Sequence, residues 1–199
     1  TDERFHPGRD LVEVMEQAIL GGADIIQYRD KWSAPAERLE KAKRLKQLTQ
    51  KYNIPLIIND DIALALEIDA DGVHLGQGDM PLAEARANVG DKIIGISTHH
   101  IDEARAAEKG GADYIGVGPV FATKTKADVT SPVTVSYVEQ VAAEIKIPFV
   151  AIGGIKLHNV DEVLAAGAAC ICAVSEIVGS DQVKETCEQF VQKINQAKK

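Results

Sequence analysis

The stretch LIINDDIALALEIDADGVHLGQGD, residues 56–79, decides the fold. Its first apolar run is followed by Asn59 and Asp60, and after a short helix-like segment a second apolar run ends in a loop that carries Asp79. Two short apolar runs separated by a helical segment predict neighbouring parallel strands. Such strands lie roughly 4.8 Å apart, so a carboxylate at the end of each can reach one cation. The stretch therefore predicts a βαβ unit with Asp60 and Asp79 at one edge of a parallel sheet.

Apolar runs of strand length alternate with helical patterns along the whole chain, which is typical of repeated βαβ units. The predicted strands are residues 24–28, 55–59, 72–75, 92–97, 114–120, 148–152 and 170–174. Seven such strands fit either an open doubly wound sheet or an eight-stranded barrel that lacks one strand. No glycine-rich G-x-G-x-x-G fingerprint follows the first strand, which weakens the dinucleotide-binding form of the open sheet.

We therefore predict an α/β fold of the TIM (β/α)8 barrel type, in which the first strand is absent from this chain. No apolar run precedes the first helical pattern, so we expect the missing strand to lie upstream of Thr1. No linker or change of composition divides residues 1–199, which predicts a single TIM-barrel domain.

The charge balance limits the partners of this protein. With 22 Lys and Arg against 30 Asp and Glu the net charge is −8, which argues against non-specific nucleic-acid binding because phosphate neutralisation needs a cationic surplus. The polar start has no signal-peptide pattern, and no run approaches the roughly 18 apolar residues of a membrane span. We expect a cytoplasmic protein that acts on small molecules and binds no membrane.

Polar side chains follow several of the predicted strands. Gln27, Arg29 and Lys31 alternate along an extended segment, so they point to one side and suit a diphosphate or a heterocycle that carries one; a solvated strand end is the alternative. Asp60 and Asp79 could hold Mg²⁺ together with substrate phosphates. Alternatively, Asp60 or Asp61 could cap the helix that begins near Ile62, and Asp79 the helix near Pro81.

Further strand ends add hydroxyls, cations and small residues. Ser97 can donate to a phosphate oxygen, whereas His74 lies within an apolar strand and is interpreted as a packed imidazole. The string GPVFATKTK, residues 118–126, offers paired hydroxyls and ammonium groups for anion binding. The Gly154 region and the pair Val174 and Ser175 supply backbone N–H groups that a phosphate can approach closely.

Seven motifs together resemble the thiamin phosphate synthase family. They are QYRDK, IINDD, DGVHLGQGD, IGIST, YIGVGPVFATKTK, VAIGGI and AVSEI, in the order found in the family. The resemblance implies a TIM barrel and a transferase of thiamine biosynthesis. Its reaction would join 4-amino-2-methyl-5-hydroxymethylpyrimidine diphosphate to hydroxyethylthiazole phosphate, through a pyrimidine carbocation and with release of pyrophosphate.

The resemblance also implies residue roles. According to the resemblance, Asp60 and Asp79 ligate Mg²⁺ and Gln27 contacts the pyrimidine. The catalytic residues, which contact the leaving pyrophosphate, would be Arg29, Lys31, Ser97 and Lys126. The diphosphate would be held by Arg29, Lys31, Asn59, Ser97 and Lys126. The thiazole phosphate would be bound by Thr123, Thr125, Gly154, Val174 and Ser175.

The sequence also departs from the family pattern at three places. Ala122 stands where proline is common, Glu176 where alanine is common, and Thr134-Val135 where Gly-Leu is frequent, which affects the expected fit of the thiazole phosphate. Two alternatives stay open, a related thiazole tautomerase and a non-catalytic phosphate-binding barrel. The joint presence of the paired aspartates with Arg29 and Lys31 favours the synthase.

Overall fold

The computed structural model describes residues 1–123 and 131–198. In these residues seven strands alternate with eight α-helices. The strands are β1 (Ile26–Tyr28), β2 (Leu56–Asn59), β3 (Gly72–Leu75), β4 (Ile93–Thr98), β5 (Tyr114–Val117), β6 (Phe149–Ile152) and β7 (Ile171–Cys172). The helices are α1 (Leu11–Leu20), α2 (Pro35–Tyr52), α3 (Ile62–Glu67), α4 (Leu82–Val89), α5 (Ile101–Lys109), α6 (Thr134–Glu144), α7 (Val160–Ala165) and α8 (Val183–Ala197).

The sheet is parallel throughout, and its strand order is β1-β2-β3-β4-β5-β6-β7. This order lacks the reversal that defines a doubly wound sheet, so that alternative is wrong. Helix α1 precedes the edge strand β1, and helix α8 comes after the other edge strand, β7. These two helices nevertheless pack against each other. The sheet must therefore curl, which gives an α/β fold with a seven-stranded parallel sheet curved as part of a barrel.

The predicted strand positions are confirmed, but β1, β5 and β7 are each shorter by two or three residues than the sequence indicates. β1 begins at Ile26, and β5 ends at Val117, just before Pro119, which has no N–H to donate to a ladder. β7 ends at Cys172 because the chain turns into a π-helical turn, Val174–Val178. Val174 and Ser175 therefore lie in a helical turn and do not end a strand.

The two faces of the sheet differ in chemistry. One face packs against the helices through residues such as Ile58, Val73 and Ile115, which belong to the main apolar core. The alternate residues point to the opposite, inner face. Glycines on that face make room for rings, since a Cβ at Gly95 would lie 2.1 Å from the Tyr114 ring. The inner face is thus where polar side chains can gather.

Among the helices that the structure describes, none combines the length and the apolar character needed to cross a membrane.

Candidate functional site

Asp60 lies at the end of β2 with its carboxylate on the Lys31 ammonium. Its φ of +63° is in the left-handed region, and its amide donates to the His74 carbonyl at 2.9 Å. The capping role falls to the next residue, because the Asp61 carboxylate accepts from the Leu64 amide at 2.9 Å and closes the start of α3. The helix-capping explanation is therefore wrong for Asp60.

Asp79 faces Asp60 across the ends of β2 and β3. Burial raises the pKa of Asp79, and the neighbouring Asp60 carboxylate raises it further, while the Gly76 amide and Lys31 oppose the shift. The Gly76 amide donates to Asp79 at 2.7 Å. Helix α4 begins after Pro81 without a side-chain cap, so Asp79 is not its cap. Two carboxylates that repel each other form a donor set suited to a hard cation.

A metal at this pair needs ligands from outside the protein. Within residues 1–123 and 131–198 no group of three or more His, Cys, Asp or Glu side chains could hold a metal ion. Mg²⁺ is commonly bound by one or two carboxylates together with substrate phosphates and water. The Asp60 and Asp79 pair fits that arrangement.

A cleft of about 400 Å³ opens beside Asp60. Its lining includes Lys31, Asn59 and Asp60 together with Arg38 and Met80. The predicted diphosphate residues Lys31 and Asn59 therefore share one opening with the predicted metal ligand Asp60.

Ser97, on β4, belongs to a hydrogen-bonded chain on the inner face. Its hydroxyl lies 2.8 Å from His74 Nε2, and His74 Nδ1 lies 2.8 Å from the Tyr114 hydroxyl. Burial raises the pKa of Tyr114, and the nearby Gln27 side chain lowers it by less, so this phenol stays protonated. The chain lies beside Gln27, the predicted pyrimidine contact, and ends at Ser97, a predicted diphosphate contact.

Sequence reasoning missed His74 and Tyr114 as part of this arrangement. His74 is buried, as predicted, but it bonds two hydroxyls instead of packing only against apolar groups. The sequence could have indicated this, because alternate residues of a strand share one face of the sheet. His74 lies on the same face as Asn59, and Tyr114 at the start of β5 supplies a hydroxyl. Gln77 also joins the site, since its amide donates to the Ser97 carbonyl at 2.7 Å.

Arg29 turns toward the N-terminal segment. Its guanidinium lies 3.3 Å from the Asp2 carboxylate, and its amide donates to the Thr1 hydroxyl at 3.2 Å. Burial tends to raise the pKa of Asp2, but hydrogen bonds from Arg4 and the charge of Arg29 keep it below its usual value. Arg29 is thus held at the rim by Asp2, close in sequence to Lys31 but with a different partner.

The remaining predicted residues lie at the ends of β5, β6 and β7. Phe121 donates its amide to the Gly153 carbonyl at 2.9 Å, which ties the loop after β5, with its half-buried Thr123, to the loop after β6. Gly154 has a φ of +64°. Leu157 and Lys156 contact the Glu176 carboxylate at 3.4 and 3.6 Å, joining that loop to the turn of Val174 and Ser175. Thr125 and Lys126 lie outside the described residues.

Comparison with known proteins gives one consistent result. A family model described as thiamine monophosphate synthase matches residues 1–177. The thiamine-phosphate synthase of Halalkalibacterium halodurans is 68% identical over 191 residues, 96% of this chain and 90% of the relative. That of Shouchella clausii is 58% identical over 198 residues, 99% of this chain and 95% of the relative. A solved thiamine phosphate pyrophosphorylase from Pyrococcus furiosus has a TM-score of 0.90 and 37% identity, covering 98% of this chain and 93% of that one.

Proposed function

Because the chain belongs to the thiamine monophosphate synthase family and has the transferase activity of thiamine biosynthesis that its relatives are named for, we propose how its site works. The substrates are 4-amino-2-methyl-5-hydroxymethylpyrimidine diphosphate and hydroxyethylthiazole phosphate. The products are thiamin phosphate and pyrophosphate.

The facing carboxylates of Asp60 and Asp79 carry this proposal. Both are released from helix capping, and Lys31 stands beside them. When Mg²⁺ is bound there it supplies positive charge for the leaving pyrophosphate. Lys31 then exchanges its Asp60 partner for a diphosphate oxygen, which is a favourable exchange because an ammonium binds phosphate as a point charge.

The protein groups act by charge and position. Arg29, Lys31, Asn59, Ser97 and Lys126 donate hydrogen bonds to the diphosphate, so the C–O bond breaks with its electron pair leaving on pyrophosphate. The aminopyrimidine stabilises its own methylene cation while Gln27 holds the ring.

The second substrate needs only placement. The thiazole nitrogen uses its lone pair to form the new C–N bond, and no protein nucleophile takes part. We assign its binding to Thr123, Thr125, Gly154, Val174 and Ser175. This division places pyrophosphate release at β1 to β4 and selection of the thiazole at β5 to β7.

We also propose that the complete fold is an eight-stranded TIM barrel with one further strand between β1 and β7. Both strands are edges of the described sheet. The Thr1 nitrogen donates to the Gln27 carbonyl of β1 at 2.5 Å and lies near Cys172 of β7. Thr1 therefore lies where the end of such a strand would pair with both neighbours.

We place the reaction in the cytoplasm, because both substrates are phosphorylated anions that do not cross membranes unaided. The negative net charge fits small-molecule substrates held by a local cationic cluster and fits neither nucleic acid nor a membrane surface.

Turnover tests the proposal directly. The protein is mixed with the two substrates and Mg²⁺, and pyrophosphate and thiamin phosphate are measured together. We expect equal amounts of both products, loss of turnover with a chelator, and recovery when Mg²⁺ is restored. Omission of the thiazole phosphate should abolish thiamin phosphate. A folded protein that makes neither product would refute the proposal.

Substitution of Lys126 tests its assignment as a group that meets the leaving pyrophosphate. We expect Lys126→Ala to lower kcat about tenfold or more, since a hydrogen bond to a charged group is lost in the transition state. Lys109→Ala removes an ammonium from the end of α5 and serves as the control, with unchanged kcat.

A further inference from the structure

We propose that Tyr114 is a positioning residue for the reaction: acting through His74, it directs the hydroxyl proton of Ser97 toward the diphosphate. This inference rests on the proposed role of Ser97 in holding that diphosphate. It concerns two side chains, Tyr114 and His74, that the proposed mechanism does not use.

The side chains of Ser97, His74 and Tyr114 form one connected chain across β4, β3 and β5. Both bonds of the His74 ring are 2.8 Å long. The His74 and Tyr114 rings are held with their centroids 5.4 Å apart. Each ring lies over a glycine, Tyr114 at Gly95 and His74 at Gly116, where a Cβ would lie 2.1 and 3.2 Å away respectively. The sheet is built to accept these two rings.

The direction of the hydrogen bonds follows from counting protons. A diphosphate oxygen carries no proton and can only accept, so Ser97 binds it by donating the hydroxyl proton, and the Ser97 oxygen then accepts from His74 Nε2. With its proton on Nε2, a neutral His74 accepts at Nδ1, and the Tyr114 hydroxyl donates there.

The last donor of this hydrogen-bonded chain is the Ser97 hydroxyl. Because its oxygen already accepts from His74, Ser97 donates its own proton to an acceptor in the site, and a diphosphate oxygen is such an acceptor. Gln77 fixes the Ser97 carbonyl from the other side at 2.7 Å. If the hydrogen bonds had the opposite direction, Ser97 would donate to His74. The Ser97 oxygen would then present only lone pairs to the diphosphate, and these lone pairs would repel the anion.

Kinetics test whether Tyr114 acts through Ser97. We expect Tyr114→Phe to lower kcat for pyrophosphate release about ten- to a hundredfold, the effect of losing one well-directed hydrogen bond to a charged group. The KM for the thiazole phosphate should stay within about twofold. Ser97→Ala should cause a similar loss, and the double variant should be no worse than Ser97→Ala alone, because Tyr114 then has no hydroxyl to direct.

Tyr137→Phe is the matched control. Its hydroxyl is also buried at this end of the sheet and bonds to Thr98 Oγ1 at 2.8 Å and the His100 carbonyl at 3.0 Å. We expect this variant to lower the thermal midpoint with little change in kcat, and its effect should multiply with that of Ser97→Ala. If Tyr114→Phe also multiplies with Ser97→Ala, Tyr114 has only a structural role and the inference is wrong.

An NMR measurement on the wild-type protein tests the proton direction without turnover. With isotope-labelled histidine, and His74→Gln to assign the signal, we expect the His74 proton on Nε2 and an unprotonated Nδ1. A proton on Nδ1 would overturn the inference even in an active enzyme. If the enzyme proves inactive, the proposed function fails while this measurement still decides the hydrogen-bond direction.

Discussion

Replacement of Asp79 by Asn should separate two effects of the aspartate pair, the repulsion between its carboxylates and its binding of Mg²⁺. In the metal-free protein the two carboxylates repel, which is why the pKa of Asp79 is raised by Asp60 in addition to burial. Two like charges about 4 Å apart repel by about 1 kcal/mol when water screens them. Asp79 is exposed as a residue and its carboxylate is only partly desolvated, so we apply this screened value.

The expected shift in stability is therefore small and of known sign. Asn can still accept the Gly76 amide, while Lys31 retains Asp60. Removal of the repulsion should raise the unfolding free energy by up to about 1 kcal/mol, or the thermal midpoint by about 2–4 °C for a chain of this length.

With Mg²⁺ present, the wild-type protein should become more stable than Asp79→Asn. Wild-type protein in Mg²⁺ at tenfold excess over its Kd, with inorganic pyrophosphate present, gains about 1.4 kcal/mol, or about 3–6 °C. Asp79→Asn and Asp60→Asn should lose most of that gain. Differential scanning calorimetry at equal pyrophosphate, with and without Mg²⁺, measures both quantities.

The matched control is Asp61→Asn, which changes the neighbouring carboxylate that caps α3. Asn is a good helix cap, so this variant should keep the wild-type response to Mg²⁺. An Mg²⁺-induced rise in Asp79→Asn equal to that of the wild type would refute the assignment of Asp79 as a ligand.

Three further outcomes are expected. Asp30 accepts hydrogen bonds from the Trp32 and Ser33 amides, and because these bonds outweigh burial they lower its pKa to about 2. Above about pH 4 the ionised Asp30 should therefore stabilise the fold by about 2 kcal/mol, and this stabilisation should disappear between about pH 4 and pH 2. Urea unfolding of Asp30→Asn across that range should show no such loss, and a parallel decline would contradict the assignment. Gly154→Ala should cost about 2 kcal/mol or more in thermal unfolding, because φ is +64° and its Cβ would lie 2.6 Å from the Ala122 carbonyl oxygen; wild-type stability would contradict this geometry. Glu176→Ala should raise the KM for the thiazole phosphate less than about fivefold, the range of an exposed ion pair, and should leave the KM for the pyrimidine diphosphate unchanged in steady-state assays.

The positions of the strands were readable from the sequence because a buried parallel strand needs a continuous apolar run. Residues 56–58 and 72–75 form such runs, and both are strands in the structure. The segment of residues 170–174 looked similar but turns into a π-helical turn after Cys172. Local pattern cannot separate these outcomes, because the backbone groups of a short apolar segment can pair with a neighbouring strand or within their own turn.

Strand ends followed by Asp60 and Asp79 made the carboxylate pair predictable from sequence alone, since parallel strands bring their carboxyl ends to one edge. Which aspartate caps a helix was not predictable, because adjacent residues such as Asp60 and Asp61 offer the same carboxylate and only the backbone path assigns them. Tertiary structure also decided that His74 meets Ser97 and Tyr114. Hydrogen bonds between residues 23 and 40 positions apart depend on strand register, which no single segment encodes.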